Sequence, residues 1–175
     1  MNKKIAMVLA SRDFRDEEYF ETRAILESKG CKITSFSDKK GIAIGRFGGE
    51  VKINKDLNEL DSSVFDALLF VGGGGAVKYL DNETSYNLIN LFNQEKKVIA
   101  AICIAPVILA KAGVLKGVKA TVWNDKKAIQ ELENNGATFI DQKSVIHKNI
   151  VTANGPDAVS AFCKNILLTL KENCV

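Results

Sequence analysis

The sequence contains a single histidine, His147, and its four cysteines form no C-x-x-C pair. Structural zinc sites are built from such cysteines and histidines, so no metal site is expected. No apolar stretch approaches the roughly 20 residues that span a bilayer, so no membrane partner is expected. The net charge is only +3 and the basic residues are spread along the chain, which disfavours a nucleic-acid partner.

The first residues, MNKKIAMVLAS, resemble the start of a signal peptide, because two lysines precede an apolar run. That run has six residues and the acidic segment SRDFRDEE follows at once, whereas a signal peptide needs about 7–15 apolar residues. We therefore interpret the segment as the first strand of a cytoplasmic protein. Without a signal peptide, the even cysteine count does not predict disulfides, and most thiols are expected to be reduced.

The chain has 175 residues with an ordinary hydrophobic content of 46%, which predicts one domain over residues 1–175. Short apolar runs alternate with helical patterns, and the runs ALLFV and VIAAI are apolar on both faces. We therefore predict an α/β, doubly wound (flavodoxin-like), mostly parallel sheet with helices on both faces. The strands are expected at Lys4–Ala10, Cys31–Ser37, Asp66–Val71, Val98–Ala101 and Lys119–Trp123, and the helices at Glu17–Ser28, Thr84–Glu95, in VILAKAG after Pro106, and around Val159, Phe162, Ile166 and Leu170.

Two segments break this alternation and are expected as added β-hairpins. The first, GIAIGRFGGEVKIN, would turn near its paired glycines, and the second, SVIHKNIVTANG, would turn at Lys148 and Asn149. In open parallel sheets, ligands bind beyond the carboxyl ends of the strands. Four loops are expected to meet there: residues 11–18, residues 72–75, the turn at Cys103, and residues 122–125.

Cys103 interrupts an otherwise apolar run between a predicted strand and a predicted helix. Ala101 and Ala105 stand two positions to either side, which fits a nucleophile elbow, where small side chains let the backbone bend sharply. Pro106 suits the first turn of the following helix. The helix dipole and free amides there would favour a thiolate and lower the thiol pKa. The alternative is a cysteine that only packs in the core.

Four consecutive glycines in FVGGGGAVKYL follow a buried strand, but they match neither G-x-G-x-x-G nor a P-loop. Their amides could bind an oxyanion or a carboxylate, and a flexible loop is the alternative. The acidic segment SRDFRDEEYFE stands where a flavodoxin has its phosphate loop, so no phosphate-bearing cofactor is expected. Four carboxyl groups could face the thiol, and the pattern does not choose among them: Asp13, Asp16, Glu17 and Glu18.

AAICIAP, VGGGGA, the acidic first loop and VTANGPDAV, in this order over essentially the whole chain, resemble the motifs of the ThiJ/PfpI superfamily. This superfamily has the class I glutamine amidotransferase-like fold and includes a parkinsonism-associated deglycase and intracellular proteases. The resemblance implies that Cys103 is a strained elbow nucleophile and that Glu18 is a protonated carboxyl bonded to its sulfur, since an ionised one would repel a thiolate. It also implies that Gly73, Gly74 and Gly75 donate amides, and that the chain forms a homodimer or larger homo-oligomer.

The chain departs from the superfamily pattern at the expected histidines. Protease-like members have one directly after the cysteine, where this chain has Ile104, and deglycase-like members have one where this chain has Trp123 or Asn124; these three residues are expected to line the site. A cysteine protease or amidase would therefore lack its general base.

The leading prediction is a cofactor-independent enzyme of the glyoxalase III/deglycase type, acting on reactive aldehydes or glycated groups in stress protection. Two alternatives stay open: a non-catalytic redox sensor that uses an oxidisable Cys103, and a catalytically idle member of the superfamily.

Overall fold

The computed structural model describes residues 2–172, so Cys174 lies outside the described residues. The strands are β1 (Lys4–Val8), β2 (Arg12–Phe14), β3 (Lys32–Ser37), β4 (Gly41–Gly45), β5 (Glu50–Ile53), β6 (Lys55–Asp56), β7 (Ala67–Phe70), β8 (Val98–Ile102), β9 (Lys119–Ala120), β10 (Thr138–Phe139), β11 (Ser144–His147) and β12 (Ile150–Ala153). The α-helices are α1 (Asp16–Ser28), α2 (Glu83–Gln94), α3 (Pro106–Lys111), α4 (Lys126–Asn134) and α5 (Val159–Glu172), with a π-helical turn at Ala76–Leu80 and 3-10 turns at Leu57–Glu59, Ser62–Val64 and Pro156–Ala158.

The central sheet has seven strands in the order β11-β12-β8-β7-β1-β3-β6. Every neighbouring pair in it is parallel except β11 with β12 at one edge. Parallel strands need crossover helices on the faces of the sheet, and the apolar strands of this one are covered on both sides. The prediction of a doubly wound, mostly parallel α/β fold is confirmed.

Side chains alternate between two hydrophobic cores because successive strand residues point to opposite faces. On β1, Ile5 and Met7 pack into the core under α1 and α5, whereas Ala6 and Val8 pack into the core under α2, α3 and α4. The interior of β1 is fully buried. This burial fixes the register of the strands, and with it the positions of the loops at their carboxyl ends.

The first predicted hairpin is confirmed, since β4 and β5 are antiparallel. Strand β2 was not expected from the sequence; it pairs in parallel with β4 and completes a separate three-stranded sheet. The second hairpin also forms, but it is not an addition: β12 lies inside the central sheet, parallel to β8. Its residues are all buried, so covering helices stabilise it as they do the other central strands.

The predicted strand Lys119–Trp123 is wrong in extent and in place. Only Lys119–Ala120 is a strand, and it pairs with β10 outside the central sheet. Beyond it the backbone bonds elsewhere, because the Thr121 amide donates to Thr152 Oγ1 at 2.9 Å and the Trp123 amide donates to the Cys103 carbonyl at 2.7 Å. The segment therefore ends in the candidate site. Within residues 2–172, no helix is both long and apolar enough to cross a membrane.

Candidate active site at the carboxyl edge of the sheet

The four loops expected to meet do meet, and backbone hydrogen bonds join them. The Arg15 amide donates to the Gly72 carbonyl at 3.1 Å, which connects the loop after β1 with the glycine turn after β7. The Cys103 amide donates to the Ala153 carbonyl at 2.9 Å, and the Cys103 carbonyl accepts from Trp123. The end of β12 is thus a fifth segment of the site.

Cys103 lies in a sharp turn between β8, which ends one residue before it, and α3. Its φ is 63°, in the left-handed region that costs a residue with a side chain about 1–2 kcal/mol. Both of its backbone groups are hydrogen bonded to neighbouring segments, so the surrounding structure holds the strained conformation. Its side chain is half-buried, whereas Cys31 and Cys163 are buried.

Among the four candidate carboxyl groups, the structure places Glu18 against the thiol. Its side chain is fully buried, and its Oε2 accepts from the Gly72 amide at 3.0 Å. A Cβ at Gly72 would lie 2.6 Å from both Cys103 Cβ and Glu18 Oε2, so only glycine allows this approach. Glu18 Oε1 is buried and has no hydrogen-bond partner within residues 2–172.

The other three carboxyl groups serve the loops around the site. Asp16 accepts from the amides of Phe47 and Gly49, at 2.9 and 2.7 Å, and so holds the turn of the first hairpin. Glu17 pairs with the guanidinium of Arg15, and Asp13 lies beside the glycine turn and the guanidinium of Arg46. What distinguishes Glu18 from the other three carboxyl groups is its burial, which the local sequence pattern does not reveal.

Burial shifts both titrating groups of the thiol–carboxyl pair. It raises the pKa of Glu18 to about 7, although the Cys103 thiol, the Gly72 amide and the charge of Arg15 oppose the shift. It also raises the pKa of Cys103 to about 12, with repulsion from an ionised Glu18 as the next cause, and the amides of Gly73 and Ile104 lower it only in part. The expectation of a lowered thiol pKa is therefore wrong. Burial therefore outweighs the amides at the turn before α3.

A cleft of about 310 Å³ opens at Cys103. It brings together five residues singled out from the sequence, with Glu18 behind them: Cys103, Gly73, Gly74, Ile104 and Trp123. Trp123 is 46% exposed and packs against Gly155, where a Cβ would lie 2.9 Å from the indole ring.

Two of the residues singled out lie apart from this cleft. Asn124 lines an adjoining cleft of about 360 Å³ together with Lys143 and Asp157. Gly75 is not among the lining residues of the Cys103 cleft; it packs against Ala10 and the carbonyl of Arg12, where a side chain would clash.

Three residues of the cleft were not expected from the sequence: Arg15, Arg46 and Pro156. Arg15 stands in an acidic segment, and the guanidinium stacks on the Phe47 ring at 4.9 Å from its centroid. Arg46 belongs to the first hairpin, and its amide donates to the Phe14 carbonyl at 2.8 Å. Because the unanticipated pairing of β2 with β4 carries this hairpin to the site, no signal in the linear sequence could have identified Arg46.

The single histidine lies at the opposite end of the sheet, as expected. His147 pairs across the edge with Ile150, which is in register with Ile99 near the start of β8. Its Nδ1 accepts from the Lys119 amide at 3.3 Å. No group of three or more histidine, cysteine, aspartate or glutamate side chains in the described chain is placed to hold a metal ion.

A larger groove lies elsewhere, between α1 and α5, with a volume of about 590 Å³. Its described lining consists of lysines, a serine and aliphatic side chains, without a nucleophilic thiol or a carboxyl group. The smaller cleft at Cys103 is therefore the candidate active site, because strain, burial and shifted pKa values coincide there.

Comparison with known proteins agrees with this geometry. The sequence profile of the DJ-1/PfpI family matches residues 3–169. The chain is 40% identical to a protein of Methanocaldococcus jannaschii over 98% of this chain and 84% of that one, and 30% identical to Deglycase PfpI of Pyrococcus furiosus over 94% and 98%. A ThiJ/PfpI domain protein from Brachyspira murdochii superposes with a TM-score of 0.93 at 33% identity, covering 98% of each chain. The chain therefore belongs to the DJ-1/PfpI family.

Proposed function

We propose that this protein is a cofactor-independent cysteine enzyme that acts on reactive aldehydes or glycated groups, in protection against carbonyl stress. The observation that carries the proposal is the contact between the strained Cys103 and the buried Glu18 carboxyl at the floor of a small cleft. The relative from Pyrococcus furiosus is named a deglycase, which supports the same reaction class.

A Glu18 pKa of about 7 suits a group that accepts and returns protons near neutral pH. As the Cys103 sulfur attacks the aldehyde carbon of a 2-oxoaldehyde, the thiol proton passes to Glu18 and the carbonyl oxygen becomes an oxyanion. Glu18 then returns the proton to this oxygen, which completes a hemithioacetal. The amides of Gly73 and Ile104, which face the sulfur, are near enough to stabilise the developing negative charge.

Glu18 next removes the hydrogen from the former aldehyde carbon and delivers it to the neighbouring carbon, with a proton moving between the two oxygens. The product is a thioester of a 2-hydroxy acid. Water adds to the thioester carbon, the carbon–sulfur bond breaks, and the sulfur regains its proton. Methylglyoxal and water thus give lactate, with one carbon oxidised and its neighbour reduced, so no external oxidant or reductant is needed.

The absence of a histidine from the cleft separates this proposal from proteolysis. The His147 imidazole lies at the far end of the sheet, so a Cys–His pair cannot form within the chain. Proton transfer by a carboxyl group does not require one.

The test is lactate formation from methylglyoxal by the pure protein, and release of methylglyoxal from its N-acetylcysteine adduct. We expect turnover by the wild type, a loss of about 1,000-fold or more in Cys103→Ser and Glu18→Gln, and retention in Cys31→Ser, a cysteine remote from the cleft. Lactate formation that is absent from the wild type, or equal in Cys103→Ser, would contradict the proposal.

A second candidate, a redox sensor, is favoured by Glu18 Oε1, which has no hydrogen-bond partner among residues 2–172 and lies beside a half-buried thiol. A protonated carboxyl there could donate to the oxygen of an oxidised sulfur. Mass spectrometry after mild peroxide distinguishes the two functions: selective addition of oxygen at Cys103 without aldehyde turnover would favour the sensor, and no selective addition would eliminate it.

A further inference from the structure

The charged side chains that line the Cys103 cleft have one sign. Among the described lining residues, the charged groups are the guanidinium groups of Arg15 and Arg46, and the remainder are glycines, apolar side chains and the thiol. Glu18 lies behind this surface, beneath Gly72. A neutral aldehyde such as methylglyoxal has no anionic group to which two cations could bind.

Both guanidinium groups retain donors for a ligand. Arg46 Nη1 is 3.7 Å from Asp13 Oδ1, which is an ion pair but too long for a hydrogen bond, and the Arg46 side chain is 55% exposed. Glu17 takes two of the five N–H donors of Arg15, from Nε at 2.9 Å and from Nη2 at 3.3 Å. A guanidinium with unused donors at the mouth of a cleft is suited to carboxylate or phosphate.

The hairpin positions Arg46 before any ligand arrives. The Arg46 amide is bonded to Phe14, and Asp16 holds the amides of Phe47 and Gly49 on the same turn. Because this backbone is already ordered, little conformational entropy is lost on binding, which favours affinity.

We propose that the substrate of the Cys103 site carries an anionic group, a carboxylate or a phosphate, close to its reacting carbonyl, and that Arg46 and Arg15 bind this group. The inference rests on the proposed function, because it names the class of aldehyde that the site consumes. A cleft of about 310 Å³ is at the small end of ligand sites, which suits a small-molecule substrate. A 2-oxoaldehyde that ends in a carboxylate would leave as a 2-hydroxy dicarboxylate by the same addition of water.

The first experiment compares three 2-oxoaldehydes: methylglyoxal, which is neutral, 4,5-dioxopentanoate, which carries a carboxylate, and 3-phosphooxy-2-oxopropanal, which carries a phosphate. We expect kcat/KM for one anionic compound to exceed that for methylglyoxal by about 10- to 100-fold. The difference between the two anions identifies which group the arginines prefer. The excess should shrink as salt rises from about 0.05 to 0.5 M, because salt screens exposed charges.

Variants separate a bound anion from general attraction by the positive protein. Arg46→Gln should lower kcat/KM about 10-fold more for the preferred anion than for methylglyoxal, mainly through KM, and Arg46→Lys should restore part of the loss. Lys52→Gln removes an equal charge from an exposed position of the same hairpin, outside the described lining of the cleft. It should leave the preference for the anion intact.

A binding measurement does not depend on turnover. Trp123 is the single tryptophan of the sequence and lines the cleft, so its fluorescence reports occupancy. We would titrate 4-oxopentanoate against 2-pentanone, and dihydroxyacetone phosphate against dihydroxyacetone. Tighter binding of an anion, lost in Arg46→Gln, supports the anion site even if none of the three 2-oxoaldehydes is turned over, in which case the proposed function alone fails. Turnover of methylglyoxal without preference for either anion, in rate or in affinity, overturns this inference and leaves the proposed function standing.

Discussion

At the scale of single residues, the pair formed by Cys103 and Glu18 combines two costs that a core side chain would avoid. Cys103 adopts a left-handed backbone conformation, and Glu18 is a carboxyl group removed from water. Each cost destabilises the fold by an amount that a substitution can recover. The two residues are therefore expected to lower the free energy of unfolding while they make the site reactive, and both effects can be measured.

The strain at Cys103 predicts that Cys103→Gly is more stable than Cys103→Ala by about 1 kcal/mol, because glycine adopts a φ of 63° without a steric penalty. Denaturant unfolding of the two variants measures the difference. The matched control is Cys163 in α5, where the order should reverse because glycine costs about 1 kcal/mol in a helix. An equal stability of the two Cys103 variants would show that the turn is unstrained.

The raised pKa of Glu18 predicts a stability that falls with pH. The folded protein holds this proton up to about pH 7 and the unfolded chain releases it near 4.5, so the folded state loses stability as the pH rises between these values. The loss should be about 2–3 kcal/mol between pH 5 and pH 8, and Glu18→Gln, which cannot ionise, should lack it. Unfolding at both pH values tests this.

Glu21→Gln, an exposed carboxyl on the same helix, is the control for general effects of pH. A Glu18→Gln variant whose stability has the same pH dependence as the wild type would mean that Glu18 ionises in the folded protein at little cost in free energy.

The Glu18→Gln variant should also have a lower pKa of Cys103. Measured by alkylation at varied pH, this pKa should fall below about 12 because the repelling carboxylate is gone.

At the scale of elements, Asp16 connects α1 to the first hairpin. Its carboxylate bonds the amides of Phe47 and Gly49, and a Cβ at Gly45 or Gly49 would lie 2.5 Å from it. Glycine at these positions allows the carboxylate to approach the turn. This contact places Arg46 at the cleft although the hairpin is remote from Cys103 in the sequence.

Asp16→Ala should therefore loosen the hairpin turn. Hydrogen bonds to a charged group contribute about 1.5–3 kcal/mol, so the amides of residues 46–49 should exchange with deuterium about 10- to 100-fold faster. Peptide-resolved hydrogen exchange measures this, with Glu50→Gln, an exposed acid on the same hairpin, as the control. Unchanged exchange in Asp16→Ala would show that strand pairing alone holds the turn.

At the scale of the whole molecule, the homodimer or larger homo-oligomer implied by the family resemblance stays a prediction. Several large apolar side chains are exposed to solvent, among them Phe20, Ile42 and Phe47. Exposed apolar side chains often mark association surfaces. Sedimentation equilibrium should give at least twice the chain mass of 19.1 kDa. A mass of one chain at micromolar concentration would contradict the prediction.

Much of the fold could be predicted from the sequence because its signals are local. The apolar runs of β1, β7 and β8 are recognisable in short windows, as are the alternation with helices and the turns of both hairpins. The elbow around Cys103 is equally local, since it depends on adjacent small residues and Pro106. The membership of the family followed from the order of such short motifs.

The remaining features depend on contacts between distant segments, which no short window contains. The place of β12 in the central sheet and the loss of the strand at Trp123 depend on which backbone groups meet across the fold. The family resemblance singled out Glu18 among the four carboxyl groups, but its burial and the direction of the Cys103 pKa shift depend on how much water other elements exclude. Arg46 reaches the cleft because β2 pairs with β4 and because Asp16 bonds the turn of the first hairpin. Burial and charge proximity are properties of the assembled chain, and the electrostatics of this site follow from them.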